Sequence, residues 1–246
     1  MLFALYVADM SRDLDSTDLG FQLSDKTIST LFFADDIVLI SRTRKGLLNL
    51  ISLVKKNCDS LKMEISIKKS QVVSPSDDPF TIFDQYGDEI LSLERVTQYR
   101  YLGLDTYGSM FRTGVERQRS AITTAQRYKG ACASISHRGP DIACLALSLW
   151  TGIAIPSILY GCNSIPFSST NIETIERIQA QMAKTVLGLN ISAPNICCQT
   201  ECGIRPFRMM LWRLQLKSYA RWLMMGDERW PNKALMEHVR GEWKSP

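Results

Sequence analysis

The chain has 246 residues, 45% of them apolar, which is enough for one large domain or two small ones with a packed core. It contains no run of 18 or more apolar residues, which excludes a membrane-spanning helix. The net charge of +4 conceals an asymmetry: residues 1–110 carry 12 basic and 16 acidic residues, and residues 111–246 carry 17 and 9, so −4 is followed by +8. An acidic part ahead of a basic part suits metal chemistry beside a polyanion-binding surface, but it also suits two solvated faces with no partner.

Met1 to Met10 is apolar at near-helical spacing and reads as the tail of a helix. It lacks a basic leading region and runs straight into Arg12, Asp13 and Asp15, which reads against a signal peptide. Residues 11–25 are polar and loop-like. Thr27 to Ile40 reads as strand, tight turn, strand, with Asp35 and Asp36 at the turn. Leu47, Leu50, Ile51, Val54, Cys58 and Leu61 recur at three and four and predict an amphipathic helix. Lys62 to Ile67 alternates as a strand does, and Val72-Val73 resumes strand character. A turn cluster, Ser74 to Pro79, precedes short strands near Thr81–Phe83, Glu89–Leu91 and Thr97–Leu104.

After Gly108 the pattern turns helical, near 113–136, 140–154, 171–188 and 205–225. Thr170 and Glu173 have capping-box spacing, Gly188 suits a C-terminal cap, and Ile172, Ile175, Ile178, Met182 and Val186 form one stripe. Arg213, Lys217 and Arg221 share one line of the last helix, while Trp212 and Trp222 read as core. The fold class is therefore α+β, strand-rich first and helical second. Seven cysteines, odd in number and irregularly spaced, point to a reducing compartment. Cys197, Cys198 and Cys202 cluster, but there is no CxxC pair, and His137 and His238 are the sole histidines. Buried thiols are favoured there and no zinc is expected.

Two acids between apolar strands, in Phe33-Ala34-Asp35-Asp36, need a reason. Hard cations such as Mg²⁺ are held by one or two carboxylates plus substrate phosphates, and a solvated hairpin turn is the plain alternative. The order of the downstream segments narrows the choice: the acid turn, a helix, Ile65-Ser66-Ile67-Lys68-Lys69-Ser70, and then Tyr101-Leu102-Gly103. This order resembles the reverse transcriptase of non-LTR retrotransposons, R2-like elements among them, from its catalytic motif C onward. Ile158-Leu159-Tyr160-Gly161, Ile175-Glu176-Arg177-Ile178-Gln179 and Glu201-Cys202-Gly203-Ile204-Arg205-Pro206 resemble stretches of that family's helical thumb and the region beyond it. Ser66 stands where the family usually has asparagine.

The resemblance implies a partial polymerase palm over 1–110, a helical thumb over 111–226 and a linker over 227–246. Asp35 and Asp36 match the paired metal-binding catalytic acids, Lys69 the lysine of motif D, and Tyr101, Leu102 and Gly103 the primer grip. The implied cofactor is Mg²⁺ or Mn²⁺, and the implied partners are an RNA template, a DNA primer and a deoxynucleoside triphosphate, with no membrane. Arg213, Lys217 and Arg221 then become nucleic-acid contacts. Nucleus or cytoplasm is the implied location.

Two-metal polymerisation needs a further acid, which this family carries on an earlier strand in motif A. Asp9, Asp13, Asp15 and Asp18 lack a flanking strand and do not substitute for it. Most of motif B is missing as well, so the polypeptide is expected to be inactive alone, as a decayed copy or an incomplete gene product. The rival classes are a non-catalytic nucleic-acid-binding module and a metal-dependent phosphohydrolase using Asp35 and Asp36.

Overall fold

The computed structural model describes residues 7–23, 25–74, 80–83, 89–136 and 143–240. The fold is α+β, in two compact units: Met1–Tyr99 with Trp222–Pro246, and Arg100–Arg221.

The first unit opens with helix α1 (Ala8–Asp15), followed by hairpins β1 (Phe21–Leu23) with β2 (Lys26–Ile28) and β3 (Thr30–Phe33) with β4 (Asp36–Leu39). Helix α2 (Arg44–Ser60) comes next, and Thr43 caps it by accepting from the Gly46 amide at 3.0 Å. Its stripe Leu50, Val54 and Cys58 meets Val7, Met10 and Leu14 to form the core of this unit. Phe32, Ile37 and Leu39 pack on that core from the β3–β4 hairpin. Phe32 pairs with Ile37 and Phe33 with Asp36, so strand alternation leaves Leu31, Phe33, Asp36 and Val38 on the opposite face. Gly20 lies so close to β2 that a Cβ there would collide with the Ile28 carbonyl.

A mixed sheet comes after α2, in the order β5 (Gln71–Val73), β7 (Glu89–Val96), β6 (Phe80–Phe83), with β5 parallel and β6 antiparallel to β7. Helix α9 (Trp230–Arg240) contacts β1 and is tied to the β1–β2 turn by Lys233 Nζ with Asp25 Oδ1 at 2.6 Å, while Glu228, just before the helix, pairs with Lys26 at the start of β2. Buried Asn232 donates from Nδ2 to the carbonyls of Met225 at 2.9 Å and Trp222 at 3.1 Å, which fixes the turn into α9.

The second unit begins at Arg100, within β8 (Gln98–Tyr101), which pairs with β9 (Leu104–Tyr107) in a two-stranded sheet that leads into helix α3 (Met110–Ser136). Helix α4 (Ala143–Leu149) runs through a π turn, Trp150–Ala154, into α5 (Ile155–Leu159). Helices α6 (Ser169–Val186), α7 (Asn195–Glu201) and α8 (Phe207–Leu223) complete the bundle. Its core joins Ala121, Ala125, Trp150, Ile158, Ile175, Met182, Phe207 and Leu211. The five-residue stripe predicted for α6 is buried throughout.

Several local expectations are corrected. Lys62 to Ile67 is not a strand. Lys62 adopts φ 55°, and the bonds Met63 N–H to Cys58 O (2.8 Å) and Lys62 N–H to Asp59 O (3.2 Å) close α2 with a Schellman motif. Met63 and Ile65 do face the core, which explains the alternation, but they pair with no strand among the described residues. The expected strand Thr97–Leu104 turns back at Leu102-Gly103. Residues 11–25 hold the end of α1 and all of β1. Ser168, not Thr170, caps α6, accepting from the Asn171 amide at 3.2 Å. The helix expected to stop at residue 154 continues to Leu159, because the π turn before Pro156 spares the carbonyl that its ring would strike. The stretch read as a linker contains α9. Residues 75–79 of the expected turn cluster, the beginning of the helix expected from 140, and His137 lie outside the described residues.

Gly20→Ala is expected to destabilise the first unit by about 1–3 kcal/mol, because backbone rather than a flexible side chain must give way. Lys62→Gly is expected to stabilise it by roughly 0.5–1 kcal/mol by removing a left-handed non-glycine residue. Urea titrations of both variants check the two signs. The Lys233 and Lys26 ammonium groups hold the carboxyls of Asp25 and Glu228 below their ordinary values. Their contribution is complete above the unfolded carboxylate range and is lost as pH falls through the lowered folded values. Acid titration is therefore expected to speed amide exchange in α9, and Asp25→Asn with Glu228→Gln to remove that pH dependence.

Candidate active site and nucleic-acid interface

Phe33 and Asp36 close the β3–β4 hairpin as a Cα pair, leaving Ala34 and Asp35 as its two-residue loop. Ala34 has φ 52°. A positive φ at the first loop position matches the twist of the flanking strands, although glycine is the usual residue there. Asp35 is thus in the turn itself and Asp36 is the first residue of β4, and both are exposed. Among the described residues neither carboxylate makes a hydrogen bond or ion pair. Two free oxygen donors on consecutive residues fit a hard divalent cation that keeps several waters and takes further ligands from a phosphate. They do not fit a closed protein cage, since no group of three or more ligating side chains occurs among the described residues.

Lys69 ends an exposed 3₁₀ turn, Ile67–Lys69, that lies beside β7 in the same unit as the acid pair. The Tyr101-Leu102-Gly103 segment belongs to the second unit and forms the tip of β8–β9. Leu102 has φ 48° and Gly103 φ 79°, so both loop positions are left-handed, as a type I′ turn requires. Arg213, Lys217 and Arg221 are all exposed on α8, and no Asp or Glu occurs in that helix. Trp212 is a correction: 53% exposed, it stands beside the basic line and not in the core. Met209, Leu216 and Tyr219 are exposed on the same helix, while Phe207 and Leu211 carry its packing. Apolar side chains stand on both sides of α8, which is why the pattern placed Trp212 in the core.

The cysteines are free thiols. Cys198 is buried, Cys202 half-buried and Cys197 exposed. Burial pushes the thiols of Cys58, Cys132 and Cys202 up, and that of Cys162 up to about 11.

Two residues that order the second unit were missed in the sequence. Arg117 is buried and donates from Nε to the Tyr160 carbonyl at 2.8 Å and from Nη2 to the Ile158 carbonyl at 2.8 Å, capping the end of α5. Tyr160 Oη donates to the Leu102 carbonyl at 2.5 Å. The Tyr160-Gly161 pair was the available signal.

Residues 1–106 match the family model described as reverse transcriptase (RNA-dependent DNA polymerase). A putative uncharacterized transposon-derived protein of Caenorhabditis elegans is 21% identical over 174 residues, 70% of this chain and 61% of that protein. The retrovirus-related Pol polyprotein from type-1 retrotransposable element R2 of Nasonia vitripennis is 31% identical over 103 residues, 36% of this chain and 10% of that protein. The similarity is thus to reverse transcriptases of retrotransposon origin, and the chain spans less than two thirds of either relative. The matched region contains the acid turn, Lys69 and the Leu102-Gly103 turn.

At pH 8 a thiol of pKa about 11 is ionised to about one part in a thousand. Titration with a chromogenic disulfide is expected to label the exposed Cys144 and Cys197 quickly, and to reach Cys162 only after denaturation.

Proposed function

We propose that this chain carries the metal-binding turn, the primer-grip turn and the nucleic-acid-holding helices of an RNA-directed DNA polymerase of a non-LTR retrotransposon. The observation that carries the reading is the acid turn: two consecutive exposed carboxylates, unpaired among the described residues, inside the region that matches the reverse transcriptase family.

Asp35 and Asp36 would hold Mg²⁺ or Mn²⁺. When bound, a pair of such ions would neutralise charge on the attacking and leaving oxygens of nucleotidyl transfer. Lys69 would neutralise the departing pyrophosphate or donate a proton to it. Tyr101, Leu102 and Gly103 would hold the primer end, because a glycine lets backbone approach a nucleic acid closely. Arg213, Lys217 and Arg221 would follow the phosphates of the primer–template duplex, with exposed Trp212 beside them. The partners would then be an RNA template, a DNA primer and a deoxynucleoside triphosphate, and the place of action the nucleus or the cytoplasm.

This polypeptide alone is expected not to polymerise, because the acid turn supplies two carboxylates and the two-metal reaction requires another. The basic, acid-free α8 also supports a second reading, a nucleic-acid-binding module without catalysis.

Primer extension on an RNA template separates the two readings. This chain is expected to yield no extension with Mg²⁺ or Mn²⁺. It is expected to bind the primer–template with an affinity that falls as salt rises, and Arg213→Gln, Lys217→Gln and Arg221→Gln should each reduce the salt slope by about 1. Asp35→Ala should leave salt-dependent binding intact and remove Mn²⁺ binding seen as paramagnetic broadening at the hairpin. Extension abolished by Asp35→Ala would show a complete catalytic site here. Loss of all binding at low salt would sink both readings.

A further inference from the structure

The Leu102-Gly103 turn cannot hold its own shape. Leu102 at φ 48° places a Cβ against its own carbonyl, a conformation an L-residue adopts at a cost of roughly 1–2 kcal/mol. A two-stranded hairpin of this size is marginal in water, so the turn must be held from outside. The outside contact is Tyr160. Its hydroxyl donates to the Leu102 carbonyl at 2.5 Å, 58 residues away in sequence. A Cβ on Gly103 would lie 3.7 Å from Tyr160 Cε1, so the ring rests against the glycine of the turn. The next residue continues the contact: a Cβ on Gly161, which has φ 67°, would lie 2.6 Å from Leu104 Cδ1, so Leu104 occupies the space that a side chain there would fill.

Tyr160 is itself fixed. Buried Arg117 binds its carbonyl through Nε at 2.8 Å and also through Nη2, with a further bond to Ile158 O at 2.8 Å. The guanidinium fork thereby locks the backbone from which the Tyr160 side chain projects. On the other side of the hairpin, Thr113 Oγ1 accepts from the Tyr107 amide at 3.0 Å, and the Arg112 guanidinium lies 4.7 Å from the centre of the Tyr107 ring. The hairpin base is thus set by α3, and its tip by Tyr160.

The geometry points to Tyr160 as a positioning residue: it fixes the Leu102-Gly103 turn in the conformation that receives the primer end. This rests on the primer-grip reading above. Tyr160 is half exposed, so its bond adds little to global stability and acts on the turn alone.

The test is Tyr160→Phe in the full chain, which removes one oxygen and keeps the ring. Amide exchange at Leu102, Gly103 and Leu104 is expected to accelerate roughly five- to tenfold. The thermal midpoint and exchange within α6 should stay as in the parent. Binding to a recessed primer end should weaken at least threefold, with binding to a blunt duplex of the same length unchanged. A purely structural tyrosine would alter both duplexes alike, and that result would overturn the proposal, as would unaltered exchange at the turn. Faster exchange with both affinities unchanged would keep Tyr160 as the residue that sets the turn and reject the primer grip. Tyr160→Leu, which also removes the ring, should move exchange and recessed-end binding further in the same directions; if it does not, the turn is held by something else.

Discussion

Residues with a Cβ are held at positive φ at two hairpin tips, Ala34 and Leu102. This constraint organises much of what surrounds them. A left-handed residue in a two-residue loop lets the strands return with the correct twist, and it exposes the neighbouring groups at the tip. Without glycine at that position the strain must be met by contacts elsewhere. For Ala34 the contacts are those of Phe32, Ile37 and Leu39 with the α1–α2 core. For Leu102 they are the Tyr160 hydroxyl and the packing of Leu104 against Gly161. One tip is supported by apolar burial and the other by a directed hydrogen bond.

The difference comes from the size of each hairpin's inner face. β3–β4 turns a full row of side chains to the core, so burial alone can define its register. β8–β9 has strands of the same length, but none of its residues joins either apolar core. A hairpin with so little buried surface is placed by polar contacts: the Tyr107 amide on Thr113, and the Leu102 carbonyl on Tyr160. The buried Arg117 makes the latter contact reliable, since a charged fork on several carbonyls is far less mobile than a single neutral bond.

How much of this was legible in the sequence depended on which force set each element. Where burial on one face decided, periodicity was enough: the α2 stripe through Leu50 and Val54 and the α6 stripe through Ile175 and Met182 are buried as read. Where local hydrogen bonding decided, periodicity misled. Met63 and Ile65 alternate because both reach the core, yet a Schellman motif placed them there and not a strand ladder. In Ser168-Ser169-Thr170 several hydroxyls compete for one cap, and sequence spacing does not choose among them. The acid turn was legible because two charges between apolar strands have few explanations. The Tyr160 contact was not, because a hydrogen bond spanning 58 residues leaves no periodic trace.

The exposed charges have a different logic from the core. A protein that places Asp35 and Asp36 at a solvent-facing tip, free of ion pairs among the described residues, forgoes the stabilisation a nearby lysine would give. Asp25 and Glu228, elsewhere in the same unit, do take lysine partners, so pairing was available to this sequence. The same contrast holds on α8, where Arg213, Lys217 and Arg221 project without an acidic residue anywhere in the helix, although an acid one turn away would have paired with them. An unpaired acidic tip has a use when a cation arrives, and an unpaired basic helix when phosphates do. Under the proposed reading, a divalent cation answers the first omission and polynucleotide phosphates answer the second.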